Sequence, residues 1–341
     1  MRSEILHKKI FVLLITIYLA ASLVGCNASS RGEKNIVFIT DIAGLGDKSS
    51  NDTVYEGLKR AEEEFDVVIN VVESETIDSY TQNIAEQSRE NYDLIITVGL
   101  PMASAVADVS ATFPEQNYVT IDESIDQSNI ASVTYKEQEG SFLLGVIAGL
   151  TTKSNIIGFV GGVKTDITEK YEYGFRAGVK SVNQNAEVLV EYIEAFDEIS
   201  LGKNTAARQY EIGADIIYHV AGWSGLGVIE AGSENDFWVI NSQEDLPIVD
   251  TETILGSMIK RLDTTAYTMV KSIVEGNFTA GKVELGLKEE VIEFSDKSNN
   301  ILPEVIQVAN EYREFIIKNE IRVPFDEITY DEFEKSLVSG Q

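Results

Sequence analysis

The chain alternates short apolar runs with longer stretches in which apolar positions recur at a helical spacing. Eight of the short runs are rich in β-branched residues, are apolar on both faces and end in turn residues. They are Asn35–Thr40, Val67–Val72, Leu94–Val98, Tyr118–Ile121, Ile156–Val160, Val188–Tyr192, Ile216–Val220 and Phe237–Ile240. The pattern predicts strands of parallel sheets that are covered on both faces.

Amphipathic segments separate these strands. The predicted helices are Thr53–Glu64, Ser79–Asn91, Met102–Thr112, Ser141–Leu150, Thr168–Asn183, Ser200–Ile212 and Glu304–Asn319. Strand–helix alternation predicts an α/β fold with right-handed crossovers and doubly wound sheets. Because the strand series restarts at Asn155, we expect two α/β units, which a length of 341 residues accommodates.

Composition narrows the possible functions. The chain carries 56 Asp and Glu against 27 Lys and Arg, a net charge of −29, which argues against binding nucleic acid or anionic lipid through charge. A hydrophobic fraction of 44% argues for a folded chain rather than a disordered one. One Cys and two His leave little material for disulfides, thiolate zinc sites or histidine-based triads. We therefore expect a protein that is not an enzyme and has no cofactor.

The amino terminus has the features of a lipoprotein leader. Residues 1–9 are basic, Ile10–Val24 is almost wholly apolar, and the run ends in Leu23-Val24-Gly25-Cys26, which resembles the bacterial lipobox. We predict a signal peptide over 1–25, a lipid on Cys26, and a polar tether over 26–34. The alternative is an uncleaved membrane anchor with an incidental cysteine.

Ligands of open α/β sheets bind outside the carboxyl ends of the strands. The residues that follow the predicted strands are polar, small or aromatic: Asp41, Gly99, Asp122, Gly161, Gly162, Gly222, Trp223 and Asn241. This set suits a small polar ligand with a flat ring. His219 lies inside an apolar strand, and we interpret it as a structural residue.

The loop before the first helix is a second candidate region. Asp47 and Asn51 either cap that helix or line the ligand cleft, and Tyr55 in its first turn either stacks on a ring or packs as a half-buried aromatic. Asp122 likewise has an alternative interpretation as a cap of a helix or turn.

Five blocks in a fixed order resemble the basic membrane protein family of solute-binding lipoproteins of ABC importers, which includes purine nucleoside receptors. They are DKSSND at 47–52 with YEGL at 55–58, ASVTYKEQEGSFL at 131–143, GFVGG at 158–162 with GFRAGV at 174–179, GADII at 213–217 with AGWSGLG at 221–227, and SMIKR at 257–261. The resemblance covers nearly all of the chain after the leader.

This resemblance implies a type I periplasmic-binding-protein fold, in which two lobes joined by crossovers close on a ligand. We expect lobe 1 to comprise 35–135 with part of 245–280, and lobe 2 to comprise 136–244 with part of 281–341. The family's site residues correspond to Asp122 for a base and Lys260 for sugar hydroxyls. Tyr55 is the expected stacking aromatic, with Trp223 or Tyr218 on the second face.

The sequence departs from the family at the sugar motif. Asn241 and Gln243 stand where the family has aspartates. An amide oxygen still accepts a hydrogen bond, but it has no charge to pair with Lys260. We therefore expect an altered ligand or weaker ribose recognition.

The resemblance implies a binding protein that delivers a small solute, with a purine nucleoside as the leading candidate, to an ABC permease and ATPase. It would act at the extracytoplasmic face of the cell membrane. Two alternatives are a ligand-sensing receptor of the same fold that acts through a partner, and a surface nucleoside hydrolase. Asp41, Asp47 and Asp52 superficially resemble the calcium cluster of such hydrolases.

Overall fold

Two six-stranded sheets with helices packed on them make up the protein. The computed structural model describes residues 33–46, 50–242, 252–297 and 299–339. The strands are β1 (Lys34–Ile39), β2 (Val67–Val72), β3 (Leu94–Val98), β4 (Tyr118–Ile121), β5 (Ile130–Tyr135), β6 (Ile156–Gly161), β7 (Glu187–Tyr192), β8 (Ile216–Val220), β9 (Trp238–Asn241), β10 (Ile254–Lys260), β11 (Gly281–Leu285) and β12 (Ile292–Ser295).

The helices alternate with these strands along the chain. They are α1 (Ser50–Glu64), α2 (Ser79–Gln87), α3 (Ala103–Thr112), α4 (Glu137–Thr151), α5 (Asp166–Val182), α6 (Ile199–Ile212), α7 (Gly225–Asn235), α8 (Leu262–Glu275), α9 (Pro303–Ile317) and α10 (Glu327–Ser339). None of the helices in the described ranges has the length and apolar character that crossing a bilayer requires.

Each sheet has the same internal order. The first sheet runs β11-β5-β4-β3-β1-β2 and the second runs β12-β10-β9-β8-β6-β7. In the second sheet every pair is parallel except β12, which lies antiparallel to β10. In both sheets the order reverses beside the first strand, between β1 and β3 and between β6 and β8. The ligand crevice of such a sheet lies at that reversal, outside the carboxyl ends of the strands.

The core explains why the central strands read as continuous apolar runs. All five residues of β3 and all five of β8 are buried, because helices cover both faces of the sheets. Helix α4 is buried over most of its length, where it packs against α5 and α9. The eight predicted strands and the seven predicted helices are confirmed, with ends that differ by a few residues.

The chain passes three times between the sheets. It leaves β5 of the first sheet through Lys136 into α4, which packs on α5 beside the second sheet. It returns after β10 through Arg261 into α8, which packs on α1. It passes again from β11 to β12 through Gly286. The predicted architecture of two doubly wound lobes joined by crossovers is therefore confirmed.

Candidate functional site

Asp122 stands at the carboxyl end of β4, where the strand pairing stops. Its backbone N–H still donates to the carbonyl of Val133 at 2.8 Å, which extends the ladder by one residue. Its φ of 66° then turns the chain sharply, in a left-handed conformation that Asp tolerates better than most residues. The turn leaves the carboxylate at the sheet edge with 28% of its side chain exposed.

Lys260 ends β10 of the other sheet and meets this carboxylate. Its Nζ lies 2.6 Å from Asp122 Oδ1 and 3.3 Å from Glu137 Oε1, and only 13% of its side chain is exposed. Burial by itself lowers the pKa of Lys260, but the charge of Asp122, supported by Tyr171 and Glu137, raises it well above the usual range. Lys260 is therefore a permanently charged group held against Asp122.

The ion pair continues into a longer network. Glu137, the first residue of α4, also approaches Lys170 Nζ with its Oε2 at 3.5 Å. Lys170 donates in turn to the carbonyl of Tyr135 at 2.9 Å and to Glu284 Oε1 at 3.0 Å. Asp122 follows β4 and Glu284 lies in β11, both of the first sheet. Lys260 ends β10 of the second sheet, and Lys170 lies in α5, which packs beside that sheet. The network thus ties the two units together next to the crossovers.

The loop after β1 and the start of α1 are organised by their own acids. Asp41 Oδ1 accepts from Asn51 Nδ2 at 2.8 Å and from the Ala43 N–H at 3.0 Å. Asp52 Oδ1 accepts from the Gly46 N–H at 2.7 Å. Asn51, a predicted ligand residue, is 1% exposed in this arrangement. Asp47 lies outside the described residues.

The aromatic candidates have different surroundings. Tyr55 in α1 is half-buried, and the Lys59 ammonium lies 4.9 Å from its ring centroid. Tyr218 is fully buried between Phe159 and Phe175, with ring centroids at 5.6 and 4.9 Å, on the side of the second sheet that packs on α5. Trp223 by contrast is 56% exposed.

Trp223 has a structural equivalent in the first sheet. It follows β8 and the positive-φ Gly222 (53°), at the start of a short 3₁₀ turn that leads into α7. Leu100 follows β3 and the positive-φ Gly99 (83°), at the start of a short 3₁₀ turn that leads into α3. Leu100 is 73% exposed. Both sheets therefore present a large apolar side chain at the same point of their carboxyl edge.

Asn241 ends β9 and pairs with a residue of the neighbouring strand. Its Oδ1 lies 2.9 Å from His219 Nε2, and the two residues are directly opposite in the parallel register of β8 and β9. His219 is 1% exposed, and burial lowers its pKa to about 4. The imidazole is consequently neutral at pH 7.

The structure brings some predicted site residues together and separates others. Asp122 and Lys260 are in direct contact, whereas Asn241 contacts His219 and not Lys260. Sequence reasoning missed Glu137, the carboxylate shared by Lys260 and Lys170. The sequence feature that could have indicated Glu137 is its position: it is an acid at the first position of α4, directly after β5 and Lys136.

The described residues contain no group of three or more His, Cys, Asp or Glu that could hold a metal ion. Asp41 and Asp52 use Oδ1 to order their own loop, as described above.

Comparison with known proteins gives a consistent result. A family model described as ABC transporter substrate-binding protein PnrA-like matches residues 34–327. The chain is 31% identical to the CD4+ T-cell-stimulating antigen of Listeria monocytogenes serovar 1/2a, over 94% of this chain and 99% of that protein. It is also 31% identical to basic membrane protein D of Borreliella burgdorferi (strain JD1), over 96% of this chain and 98% of that protein.

Two solved structures with the same fold are described as solute-binding proteins of ABC transporter systems. One from an ABC transporter system of Aeropyrum pernix K1 has a TM-score of 0.70 and 28% identity, covering 90% of this chain and 98% of that one. A second, from Conexibacter woesei DSM 14684, has a TM-score of 0.71 at 19% identity, covering 86% of this chain and all of that one, which shows similarity of fold alone.

Proposed function

The chain belongs to the PnrA-like family of ABC transporter substrate-binding proteins, and we propose that it is a lipid-anchored importer component that binds a purine nucleoside. The family is one of binding proteins rather than enzymes. The observation that carries the proposal is the 2.6 Å contact between Asp122, after β4 of the first sheet, and Lys260, at the end of β10 of the second. A ligand held by both groups bridges the two lobes.

The chemistry of this pair fits a nucleoside. A carboxylate accepts hydrogen bonds from the N–H groups of a base, and an ammonium donates to sugar hydroxyls. The exposed ring of Trp223 follows β8, and the half-buried ring of Tyr55 lies in α1, which follows β1. In this proposal both rings face the ligand. A flat base and a polyhydroxylated sugar use both kinds of group, whereas a free sugar leaves the aromatic rings unused.

The ion pair also sets a condition on the ligand. Asp122 is already neutralised by Lys260 before the ligand arrives, and Lys260 keeps Glu137 as a second partner. A ligand can therefore take over Asp122 without leaving a buried lysine unpaired, which avoids a large cost. This favours an uncharged ligand with donor groups over an anion.

Membrane attachment is proposed from the leader and from Cys26, which lie outside the described residues. In this proposal the lipid on Cys26 holds the protein at the extracytoplasmic face of the cell membrane, and the residues between Cys26 and the start of β1 at Lys34 are a tether. An ABC permease and ATPase are the partners that receive the ligand.

Calorimetric titration of the purified protein with adenosine, guanosine, inosine and uridine tests the proposal. We expect saturable binding of a purine nucleoside, weakened about tenfold or more by Asp122→Asn because a charged hydrogen bond is lost. Glu90→Gln removes the same charge from an exposed acid before β3, at the opposite end of the sheet, and should leave the affinity unchanged.

Two results would overturn the proposal. One is binding of some other solute with no response to any nucleoside. The other is release of free base, detected by chromatography of the titrated mixture, because that would make the protein a hydrolase.

A further inference from the structure

His219 and Asn241 form a buried polar pair next to the proposed ligand site. Their exposures are 1% and 2%, and His219 Nε2 lies 2.9 Å from Asn241 Oδ1. Each is held by its strand, because β8 and β9 pair in parallel with these two residues in register. The relative position of imidazole and amide is thus set by the sheet rather than by flexible loops.

The position of the single imidazole proton follows from what surrounds the ring. Nδ1 is fully buried and has no hydrogen-bond partner among the described residues. It faces Gly225 so closely that a Cβ added to that glycine would lie 2.2 Å from Nδ1. A buried N–H without an acceptor costs more than a buried lone pair without a donor. The proton therefore belongs on Nε2, where it is donated to Asn241 Oδ1.

This bond determines which group of the Asn241 side-chain amide remains available for another hydrogen bond. Its oxygen accepts from His219, so the remaining group is the N–H₂. The hydrogen bonds of the described residues include none from that nitrogen, and it is not among the buried side-chain atoms of these residues that lack a partner. The amide thus offers two hydrogen-bond donors at the carboxyl end of β9.

We infer that His219 is a positioning residue that makes Asn241 a hydrogen-bond donor in the ligand cleft, so that this subsite recognises an acceptor oxygen of the ligand. The inference rests on the proposed function, in which the carboxyl ends of the strands face the ligand. A carboxylate at position 241 would accept a hydrogen bond and so require a ligand hydroxyl with its proton. The amide N–H₂ takes a hydroxyl or an ether oxygen equally well.

The tautomer of His219 tests the first half of this inference without any ligand. His7 and His219 are the two histidines, and His7 lies in the proposed signal peptide, so the protein that starts at Cys26, labelled with ¹⁵N-histidine, reports on His219 alone. At pH 7 we expect a neutral ring with its proton on Nε2. In Asn241→Leu we expect the hydrogen bond from this proton to be lost. A proton on Nδ1 would mean that the amide nitrogen is the group facing His219, and it would overturn the inference.

Ligand selectivity tests the second half. Titrations compare the best-bound nucleoside with its 2′-O-methyl and 3′-O-methyl derivatives, in wild type and in Asn241→Asp. We expect the preference for the free hydroxyl over the ether to rise about tenfold or more in Asn241→Asp for at least one of the two positions, because only the carboxylate needs the hydroxyl proton. Asn185→Asp adds the same charge at an exposed position before β7, and it should leave the preference unchanged.

Two further variants separate positioning from simple structural support. Gly225→Ala displaces the imidazole and His219→Leu removes its donor, so both should free the amide to rotate and narrow the difference between Asn241 and Asn241→Asp, because a rotated amide oxygen accepts from a hydroxyl but not from an ether. An unchanged difference in both variants, or equal selectivity in wild type and Asn241→Asp, would overturn the inference. If neither wild type nor Asn241→Asp binds any nucleoside, the proposed function fails, and the tautomer measurement alone decides the role of His219.

Discussion

Glu137 is a buried acid with two lysines, and its position shows how single residues hold the two units together. Its side chain is 3% exposed, and its two oxygens face Lys260 and Lys170. Each lysine has a second carboxylate partner, Asp122 or Glu284. The central carboxylate therefore separates two positive charges that would otherwise lie close together at a site with little water.

Replacing Glu137 with Gln keeps the volume and removes this central charge. We expect the free energy of unfolding to fall by about 3 kcal/mol, because breaking a buried ion pair leaves uncompensated charge. Urea denaturation followed by circular dichroism measures the change. The matched control is Glu314→Gln, which breaks an exposed pair with Lys318 and should cost about 0.5 kcal/mol or less. Similar losses in the two variants would contradict a special role for Glu137.

The crossing of α4 and α5 is a close contact between helices, and glycines on both sides permit it. A Cβ on Gly145 of α4 would lie 2.1 Å from the carbonyl oxygen of Phe175. A Cβ on Gly178 of α5 would lie 2.0 Å from the carbonyl oxygen of Phe142. The atoms in the way are backbone atoms, which cannot move aside as a side-chain tip does. The two helices therefore pack backbone against backbone.

Gly178→Ala tests this packing through the sign of its effect. Alanine favours an exposed helix over glycine by about 1 kcal/mol, but here its methyl group should force the helices apart and destabilise the protein by about 2 kcal/mol. Thermal and urea unfolding measure the difference. Ser104→Ala, at an exposed position of α3, should be neutral or slightly stabilising. A stabilised Gly178→Ala protein would show that the crossing has room to spare.

Elements with strong local patterns were predictable, and those defined by their partners were not. The eight predicted strands are apolar on both faces, and the sequence carries that property directly. In contrast, β5, β10, β11 and β12 contain small or charged residues, and their strand character comes from pairing with neighbours in the sheet. Helices α7, α8 and α10 were not predicted either. Helix α4 begins four residues before its predicted start, because Glu137 and Gln138 are polar in sequence but buried in the structure.

At the scale of the whole molecule, the sequence predicted two units and a site at the strand ends, but not the contacts across the units. Asp122 and Lys260 are 138 residues apart in the chain, and only the three crossovers bring them to 2.6 Å. The His219–Asn241 pair likewise depends on the strand order of the second sheet. The resemblance predicted a site role for both Lys260 and Asn241, but it did not show that they have different partners.

The three crossovers also define how the lobes can move. The chain segments at Lys136 and Arg261 each donate a backbone hydrogen bond at 2.8 Å to a returning segment, at Leu285 and Val291. The crossovers are thus bonded to one another, which favours a common hinge with rigid lobes on either side. Closure about such a hinge brings the carboxyl edges of the two sheets toward each other.

Trp223 lies on one of these edges and reports on closure. It is 56% exposed, and the only other tryptophan, Trp238, is half-buried at the start of β9, far from the carboxyl edge. Titration with the ligand should shift the tryptophan emission to shorter wavelength, because closure or stacking removes Trp223 from water. Trp223→Phe should abolish the shift, whereas Trp238→Phe should retain it. A shift that survives in Trp223→Phe would place the change elsewhere and contradict closure over this edge.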